Sequence, residues 1–202
     1  MKHRWLAALL AVQLAAAGCA AHAPTRLSGT TGRVFAEPEP SVPGIVNFAW
    51  LAPGVARGEQ PEAESLDWLK TRGFRTVIDL RKGHDERSAV AAHGMTLVAI
   101  PVRADLLGST APTDAQVKTF FETVLDSTRR PVFFHCRRGA DRTGVFAALY
   151  RIEIDGWTNQ QAIEEMEAFG FSDRYGTLMR FVRDYRPHGF ARPGAAQDST
   201  GR

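Results

Sequence analysis

Apolar residues along this chain follow two spacings, and the two spacings alternate. Short runs rich in β-branched and aromatic residues predict strands, and apolar positions three and four residues apart predict helices. Predicted strands lie within residues 54–61 and at 75–81, 97–102 and 132–135. Predicted helices lie at 62–71, 85–92, 113–125, 145–150, 159–168 and 178–185. Strands that alternate with helices favour an α/β fold: a single domain with a central, largely parallel twisted sheet flanked by helices.

Cap and stop residues mark the ends of several predicted helices. Thr113 and Thr158 stand where a side-chain hydroxyl can cap the first turn of a helix. Gly73, Gly94 and Gly170 follow helical patterns and are expected to end them. The helices therefore have local stop and start signals as well as apolar faces.

The two ends of the chain lack any apolar period. Residues 20–44 contain four prolines among small and polar residues, which predicts a flexible tether. Residues 187–202 are rich in glycine, alanine, serine and threonine, which predicts a disordered tail. The folded domain is therefore expected to span residues 45–186.

The first 19 residues are typical of an export signal. A basic start precedes an apolar run at 5–17, which is shorter than the roughly 20 residues that a membrane-spanning helix needs. The run ends at Ala16-Ala17-Gly18-Cys19, which resembles a bacterial lipobox and implies a lipoprotein signal with an acylated Cys19. Ala16 stands where that motif usually has leucine, so ordinary cleavage after Ala17 is the alternative. Either way we expect an exported protein of a bacterial periplasm or cell envelope, and a lipid anchor would attach it to the membrane.

Length, composition and charge narrow the possible functions. At 202 residues the chain has room for one domain with appendages, and its 44% hydrophobic and 23% charged residues are typical of a soluble globular protein. The net charge of +3 falls to +1 once Lys2 and Arg4 leave with the signal (3 − 2 = 1), so nucleic-acid binding gains no support. The two cysteines are Cys19 and Cys136. If Cys19 is acylated, Cys136 is an unpaired thiol outside the cytoplasm, and catalysis would explain it.

Residues 135–144, His-Cys-Arg-Arg-Gly-Ala-Asp-Arg-Thr-Gly, are the most informative stretch. A predicted strand precedes them and a predicted helix follows. A loop in that position turns backbone N–H groups inward, and the helix N-terminus adds partial positive charge, so the loop forms an anion cradle. Arg142 can clamp a phosphate with two parallel hydrogen bonds. The same field favours the thiolate of Cys136, so one loop supplies a nucleophile and a phosphoryl-binding site.

The spacing His-Cys-x5-Arg-Thr-Gly resembles the signature loop of the cysteine-dependent protein tyrosine and dual-specificity phosphatases. The resemblance spans about residues 50–185 and implies their fold and the hydrolysis of phosphomonoesters through a phosphocysteine. It implies that Cys136 is the nucleophile, that Arg142 binds the phosphate, that His135 supports the loop and that the Thr143 hydroxyl assists the sulfur. The other loop residues expected at the substrate phosphate are Arg137, Arg138, Gly139, Ala140 and Asp141. No metal or other cofactor is implied, and the histidines have no metal-ligand spacing.

The leaving group of such a reaction needs a proton, which a carboxylic acid on a nearby loop can supply. Relatives place an aspartate roughly thirty residues before the cysteine, and Asp105 lies 31 residues before Cys136 (136 − 105 = 31). The competing candidate, Asp114, is interpreted as first-turn charge on the helix capped by Thr113. We therefore predict that Asp105 is the general acid.

Several other residues carry paired interpretations. Arg137 and Arg138 either bind a second phosphate or are solvated rim charges. Arg57, in Arg57-Gly58-Glu59-Gln60-Pro61, resembles an early stretch of the smaller dual-specificity phosphatases, and the alternative is an ordinary surface arginine. A carboxylate beside a phosphate cradle repels the phosphate, so Asp141 is expected to face outward in a salt bridge. The glycines of the loop, Gly139 and Gly144, are expected for positive φ and close packing.

These observations predict a phosphatase that acts on protein phosphotyrosine, with phosphoserine and phosphothreonine as further candidate substrates. Its expected partner is a phosphorylated protein or a small phosphorylated substrate. The main alternative is a phosphatase of phosphoinositides or of inositol polyphosphates or pyrophosphates. A phosphate-binding module without turnover is disfavoured, since Cys136, Arg142, Thr143 and Asp105 are all present. A sulfurtransferase also presents a cysteine in an anion-binding loop, but the His-Cys and Arg-Thr-Gly flanks favour the phosphatase.

Overall fold

A computed structural model describes residues 27–28, 34–36, 38–39 and 41–190. The predicted signal peptide, Cys19 and residues 191–202 lie outside the described residues. The strands are β1 (Leu27–Ser28), β2 (Val34–Phe35), β3 (Ala49–Ala52), β4 (Val55–Glu59), β5 (Thr76–Arg81), β6 (Thr96–Val102), β7 (Ala104–Asp105), β8 (Gly108–Ser109) and β9 (Val132–Cys136). The helices are α1 (Ala63–Thr71), α2 (Arg87–Ala92), α3 (Asp114–Leu125), α4 (Asp141–Glu153), α5 (Asn159–Ala168) and α6 (Gly176–Asp184), with a 3-10 turn at Asp173–Tyr175.

The central sheet has five strands in the order β3-β4-β9-β5-β6. Strand β3 runs antiparallel to β4, and the pairs β4–β9, β9–β5 and β5–β6 are parallel. Strand β9 is therefore the middle strand, paired on both sides. The predicted α/β fold with a largely parallel sheet is confirmed.

Alternate residues of β9 face two separate hydrophobic clusters. Val132, Phe134 and Cys136 belong to the larger cluster, to which α3, α4, α5 and α6 contribute their apolar faces. Phe133 belongs to the smaller cluster, with apolar residues of α1 and α2. Since every residue of β9 is buried, this strand is fixed from both faces. The residue that ends it, Cys136, is placed by the core rather than by a surface loop.

The predicted threonine caps are both present. Thr113 and Thr158 each form a capping box with the glutamine three residues later, Gln116 and Gln161. The hydroxyl accepts a backbone N–H of the first turn, and the glutamine side chain accepts the N–H of the cap residue. These local signals explain why α3 and α5 begin where the sequence predicts.

The folded part is longer than the predicted span 45–186 at its N-terminal side. Phe35 and Ala36, within the predicted tether, are buried. The Ala36 N–H donates to the Glu165 carboxylate at 3.0 Å, and the Phe35 ring lies 6.1 Å from the ring of Trp157. The sequence pattern did not predict this contact, because two buried residues are too few to form an apolar period.

Packing also continues past residue 186 at the C-terminal side. The buried carboxylate of Glu153 accepts hydrogen bonds from the Tyr185 hydroxyl at 2.7 Å and from the backbone N–H groups of His188 and Gly189. Phe190 stacks on Phe121 with ring centres 4.6 Å apart. Residues 187–190 of the predicted tail are therefore part of the folded domain. Within the residues that the structure describes, no helix is long and apolar enough to cross a membrane.

Candidate active site

The loop between β9 and α4 has the strand–loop–helix geometry that the sequence predicts. Strand β9 ends at Cys136, and α4 begins at Asp141 with Ala140 as its N-cap residue. Gly139 has φ +67°, and a Cβ atom there would lie 2.5 Å from the carbonyl carbon of Gly58 on β4. Only glycine fits both the conformation and the space. A Cβ at Gly144 would lie 2.8 Å from Cγ of Met166, so this second glycine allows close helix packing, as expected.

Cys136 lies at the base of an open cavity of about 400 Å³. Cys136 is 1% exposed, and its thiol forms no disulfide among the described residues. Arg142 and Asp105 line the same cavity, so the structure brings the predicted nucleophile, phosphate clamp and general acid to one place. The charged residues that line the cavity are Arg81, Lys82, Asp105, Arg137, Arg138, Asp141, Arg142 and Arg174. Six of these eight side chains are cations, so the cavity favours anions.

Arg142 is held in place mainly by burial. Its side chain extends from the first turn of α4, and Nη1 lies 3.4 Å from the Val102 carbonyl oxygen. Its Nε is buried and has no hydrogen-bond partner in the structure. A guanidinium with unpaired N–H donors, in a cavity lined mainly by cations, is suited to bind a phosphate, which has several acceptor oxygens.

Asp141 forms the predicted salt bridge, but the expectation that it faces outward is wrong. Asp141 is buried, and its Oδ2 accepts a hydrogen bond from Nη2 of Arg138 at 2.9 Å. Its Oδ1 accepts the Ser172 N–H at 2.9 Å. These two bonds use the carboxylate to join the loop to the segment before the 3-10 turn, which explains how an acidic residue is tolerated beside the cradle. The same carboxylate raises the pKa of Arg138.

His135 is fully buried on β9, next to Cys136. Its Nε2 lies 2.6 Å from Oε1 of Glu86, and its ring stacks on Phe133 with centres 5.7 Å apart. Both contacts fix the imidazole, as a supporting residue requires. Glu86, at the start of α2, was not predicted, because nothing in the sequence marks it as a partner 49 positions before the histidine.

Thr143 lies inside α4 with a buried hydroxyl that has no hydrogen-bond partner in the structure. The alternative interpretation of Thr143 as a helix cap is wrong, because the N-cap residue is Ala140 and no side chain caps this helix. Burial without a bond leaves the hydroxyl free to meet the sulfur or its phosphoryl group. Its assistance to the sulfur stays a prediction.

Asp105 lies on a two-residue strand, β7, that pairs with β8 in a small hairpin which the sequence did not predict. Its carboxylate accepts from Nε of Arg103 at 3.0 Å and from the Leu107 N–H at 2.9 Å. These hydrogen bonds, from Arg103 first and then from Leu107, lower the pKa of Asp105. The competing candidate, Asp114, begins α3 as expected and is not among the described residues that line the cavity.

A family model identifies the chain. Residues 52–182, from the end of β3 through most of α6, match the family described as "DSP-PTPase phosphatase fused to NAD+ Kinase". The match includes the whole segment from Cys136 to Arg142 and four of the five strands of the central sheet, β4, β9, β5 and β6. The chain belongs to this family of phosphatases.

Known relatives agree with the family match. The Pseudomonas aeruginosa dual specificity protein phosphatase TpbA is 33% identical over 172 residues, covering 84% of this chain and 74% of TpbA. The crystal structure of TpbA superimposes with a TM-score of 0.62 at 31% identity, covering 77% of this chain and 93% of that one. Inositol diphosphatase DSP5 of Arabidopsis thaliana is 24% identical, covering 69% of each chain. This protein is therefore a cysteine-dependent phosphatase of phosphomonoesters.

Sequence reasoning missed part of the cationic lining of this phosphatase. Arg81 is the last residue of β5, and Lys82 follows it. The carboxyl ends of parallel strands meet at the edge where ligands bind, so that rule could have found both residues. Arg174 lies in a 3-10 turn, and no local pattern marks it. The described residues contain no group of three or more histidine, cysteine and acidic side chains placed to hold a metal ion.

Proposed function

We propose that this phosphatase hydrolyses phosphotyrosine in proteins, with Cys136 as nucleophile, Arg142 as phosphate clamp and Asp105 as general acid. The observation that carries the proposal is the shared cavity: all three side chains line one opening at the end of β9. A thiolate, a bidentate cation and a carboxylic acid are the groups that a phosphocysteine mechanism needs.

The first step transfers the phosphoryl group to sulfur. The Cys136 thiolate attacks phosphorus, an S–P bond forms, and the bond from phosphorus to the ester oxygen breaks. The leaving phenoxide takes a proton from the Asp105 carboxylic acid and departs as tyrosine. Arg142 and the inward N–H groups of the loop bind the three equatorial oxygens, whose charge is redistributed in the transition state.

The second step releases phosphate. A water molecule attacks the phosphocysteine while the Asp105 carboxylate, now deprotonated, accepts its proton. The S–P bond breaks, and sulfur leaves as the thiolate. The buried Thr143 hydroxyl can donate to that sulfur and so assist its departure, which matches its lack of any other partner. Inorganic phosphate and the original enzyme result.

An apolar side chain at the cavity mouth supports an aromatic substrate. Leu106 is 92% exposed, follows Asp105 directly, and lines the cavity with Cys136. An exposed leucine can pack against the ring of phosphotyrosine, whereas it offers nothing to a polyphosphate. The structure of a TpbA variant has been solved in complex with pTyr, and that variant is 30% identical in sequence to this chain.

A second candidate function, hydrolysis of inositol polyphosphates or pyrophosphates or of phosphoinositides, rests on the cations. Arg81, Lys82 and Arg174 add to the loop arginines Arg137 and Arg138 around the cavity. One phosphate monoester carries about two negative charges at neutral pH, so this number of cations can accommodate further phosphates. DSP5, the relative named as an inositol diphosphatase, is 24% identical to this chain over 143 residues.

A substrate panel separates the two candidates. Purified protein with reductant and a metal chelator is assayed on a phosphotyrosine peptide, the matched phosphoserine peptide and inositol hexakisphosphate. We expect the highest kcat/KM on the phosphotyrosine peptide. Higher kcat/KM on the inositol phosphate would favour the second candidate, and bound phosphate without hydrolysis of any substrate would indicate a binding module.

The substitution Asp105→Asn removes the proposed general acid. Loss of the proton donor is expected to lower kcat on an alkyl phosphate by about 10²–10⁴-fold, and much less on an aryl phosphate with a good leaving group. The required form is the carboxylic acid, so wild-type kcat is expected to fall as pH rises through the pKa of Asp105. That pKa is lowered by Arg103 in the free protein, and a bound phosphate dianion opposes the effect by favouring the proton.

The control for Asp105→Asn is Asp114→Asn, an aspartate in the first turn of α3. It is expected to leave the kcat on both substrates and the pH profile unchanged. Equal loss of kcat on alkyl and aryl phosphates in Asp105→Asn would contradict a role as general acid.

The location of the enzyme is also a proposal. The basic start, the apolar run and the Cys19 motif support export to the periplasm or cell envelope and a lipid anchor. These residues lie outside the described part of the chain. An exported phosphatase would meet phosphorylated proteins of the envelope.

A further inference from the structure

Arg57 lies behind the phosphate loop and is completely buried. Arg57 is on β4, next to β9 in the sheet, and it is 0% exposed. The interpretation of Arg57 as a surface arginine is therefore wrong. Its Nη2 donates to the Gly139 carbonyl oxygen at 2.6 Å, and its guanidinium carbon lies 3.9 Å from the centre of the Phe169 ring. Its Nε and Nη1 have no hydrogen-bond partner in the structure.

A buried cation of this kind is costly unless negative charge lies close to it. Burial lowers the pKa of Arg57 to about 10, so the side chain is still a cation at neutral pH. The negative charges of Glu165 and of the Cys136 thiolate oppose that effect. Glu165, however, is already engaged by Arg151, which donates to it from Nε at 3.0 Å and from Nη2 at 2.9 Å. Cys136 is the other negative charge that acts on Arg57, and the attraction between two groups favours both charged forms equally.

The same side chain also sets the direction of the loop backbone. N–H groups can face a phosphate only if the carbonyl groups of the loop turn away from it, and those carbonyls then need donors on the far side. Arg57 supplies the donor for Gly139. Asn47, at φ +58°, supplies the donor for Arg138 from its Nδ2 at 3.1 Å. One of these two donors is charged and the other is neutral, which allows the effects of geometry and charge to be separated.

We propose that Arg57 is a positioning residue of the catalytic centre: it holds the Gly139 carbonyl away from the phosphate and supplies, from behind the loop, the positive charge that keeps Cys136 a thiolate. Arg57 does not line the cavity among the described residues, so it acts through the loop rather than on the substrate. The inference rests on the proposed role of Cys136 as the nucleophile.

Other charged groups also lie near Cys136, and the test leaves all of them in place. His135 and Glu86 lie on the β9 side, and Glu59 is the register partner of Cys136 on β4. The rest line the cavity: Arg81, Lys82, Asp105, Arg137, Arg138, Asp141, Arg142, Arg174 and the phenol of Tyr175. Any change between the Arg57 variants therefore reports the replaced side chain.

The test compares Arg57→Met, Arg57→Lys and Asn47→Gly in the full chain. Methionine keeps an apolar stem against Phe169 and removes the charge, and lysine keeps the charge. Glycine at position 47 accepts the positive φ. It removes, without changing charge, the side-chain amide that donates to the carbonyl oxygens of Arg138 and Phe169. Alkylation of Cys136 by iodoacetamide is followed across pH by mass spectrometry of the peptide that carries it, which separates it from Cys19. Hydrolysis of an aryl phosphate gives kcat and KM.

Removal of the cation makes the thiolate form only at higher pH. We expect the midpoint of the alkylation profile to rise by about one pH unit in Arg57→Met, which is a roughly tenfold change in ionisation. The midpoints of Arg57→Lys and Asn47→Gly should match wild type, while their kcat/KM falls because the loop is less well held. An unchanged midpoint in a folded Arg57→Met, judged by circular dichroism and cooperative melting, overturns the proposal.

If Arg57→Met does not fold, Arg57→Lys decides. A wild-type midpoint with reduced kcat/KM supports the proposal, and a midpoint raised by about one unit despite the retained charge overturns it. Alkylation does not require turnover, so this result is independent of the proposed function. Cys136→Ser tests that function separately, because hydrolysis that survives the substitution would show that Cys136 is not the nucleophile.

Discussion

Cys136→Ser is expected to lower kcat on an aryl phosphate by at least about 10⁴-fold, the largest effect of any single change in this protein. A serine hydroxyl is not ionised near neutral pH, and it is a much weaker nucleophile than a thiolate. The measurement is the release of the aryl alcohol in the presence of reductant and chelator.

The control for Cys136→Ser is phosphate binding. The loop amides and Arg142 remain, so we expect inorganic phosphate to raise the melting temperatures of the variant and of the wild type by similar amounts. Retained hydrolysis with unchanged phosphate binding would mean that another group attacks phosphorus. Loss of both hydrolysis and phosphate binding would mean that the substitution disturbed the loop, and the mechanism would need a different test.

Arg142→Met is expected to lower kcat/KM by about 10³-fold and to weaken phosphate binding as well. The guanidinium is buried at the floor of the cavity and has a free Nε, so methionine removes two donors from the equatorial oxygens of the phosphate. Arg142→Lys should recover charge but not the planar pair of donors, and an intermediate kcat/KM is expected. The assay is steady-state hydrolysis of the phosphotyrosine peptide.

Arg72→Met is the matched control for Arg142. Arg72 is an exposed arginine at the end of α1, where its guanidinium lies over the Trp68 ring at 4.9 Å. Its loss should leave kcat/KM unchanged. If Arg142→Lys matches wild type, a point charge is sufficient at this position and the two-donor clamp is not required.

The fold was predictable because local signals and burial agree over most of the chain. The continuous apolar run of β9, the capping threonines of α3 and α5, and the glycines that end helices each specify an element without help from distant residues. The elements that escaped prediction are short. Strands β7 and β8 have two residues each, so no periodicity can develop, and they form because the chain must return from the sheet edge to α3.

The site was predictable where its residues are contiguous and was not where they converge from different elements. Cys136 and Arg142 lie on one loop, and Asp105 could be found from its distance along the chain. Glu86 bonds to His135 on β9 from 49 positions away, and Arg57 bonds to Gly139 of the loop from 82 positions away. Asp141 accepts the Ser172 N–H from 31 positions away. Pairings over such separations depend on strand order, which composition and spacing do not contain.

Helix α4 carries the phosphate loop at one end and holds both ends of the folded domain near the other. Asp141 begins the helix, whereas Arg151 and Glu153, near its last turn, hold the segment at Ala36 through Glu165 and the segment at His188. Thirteen residues of helix span about 18 Å. An attachment made through the residues before Phe35 would therefore act near the end of α4 that lies away from the cavity. An attachment on that side would leave the approach to the cavity open to substrate.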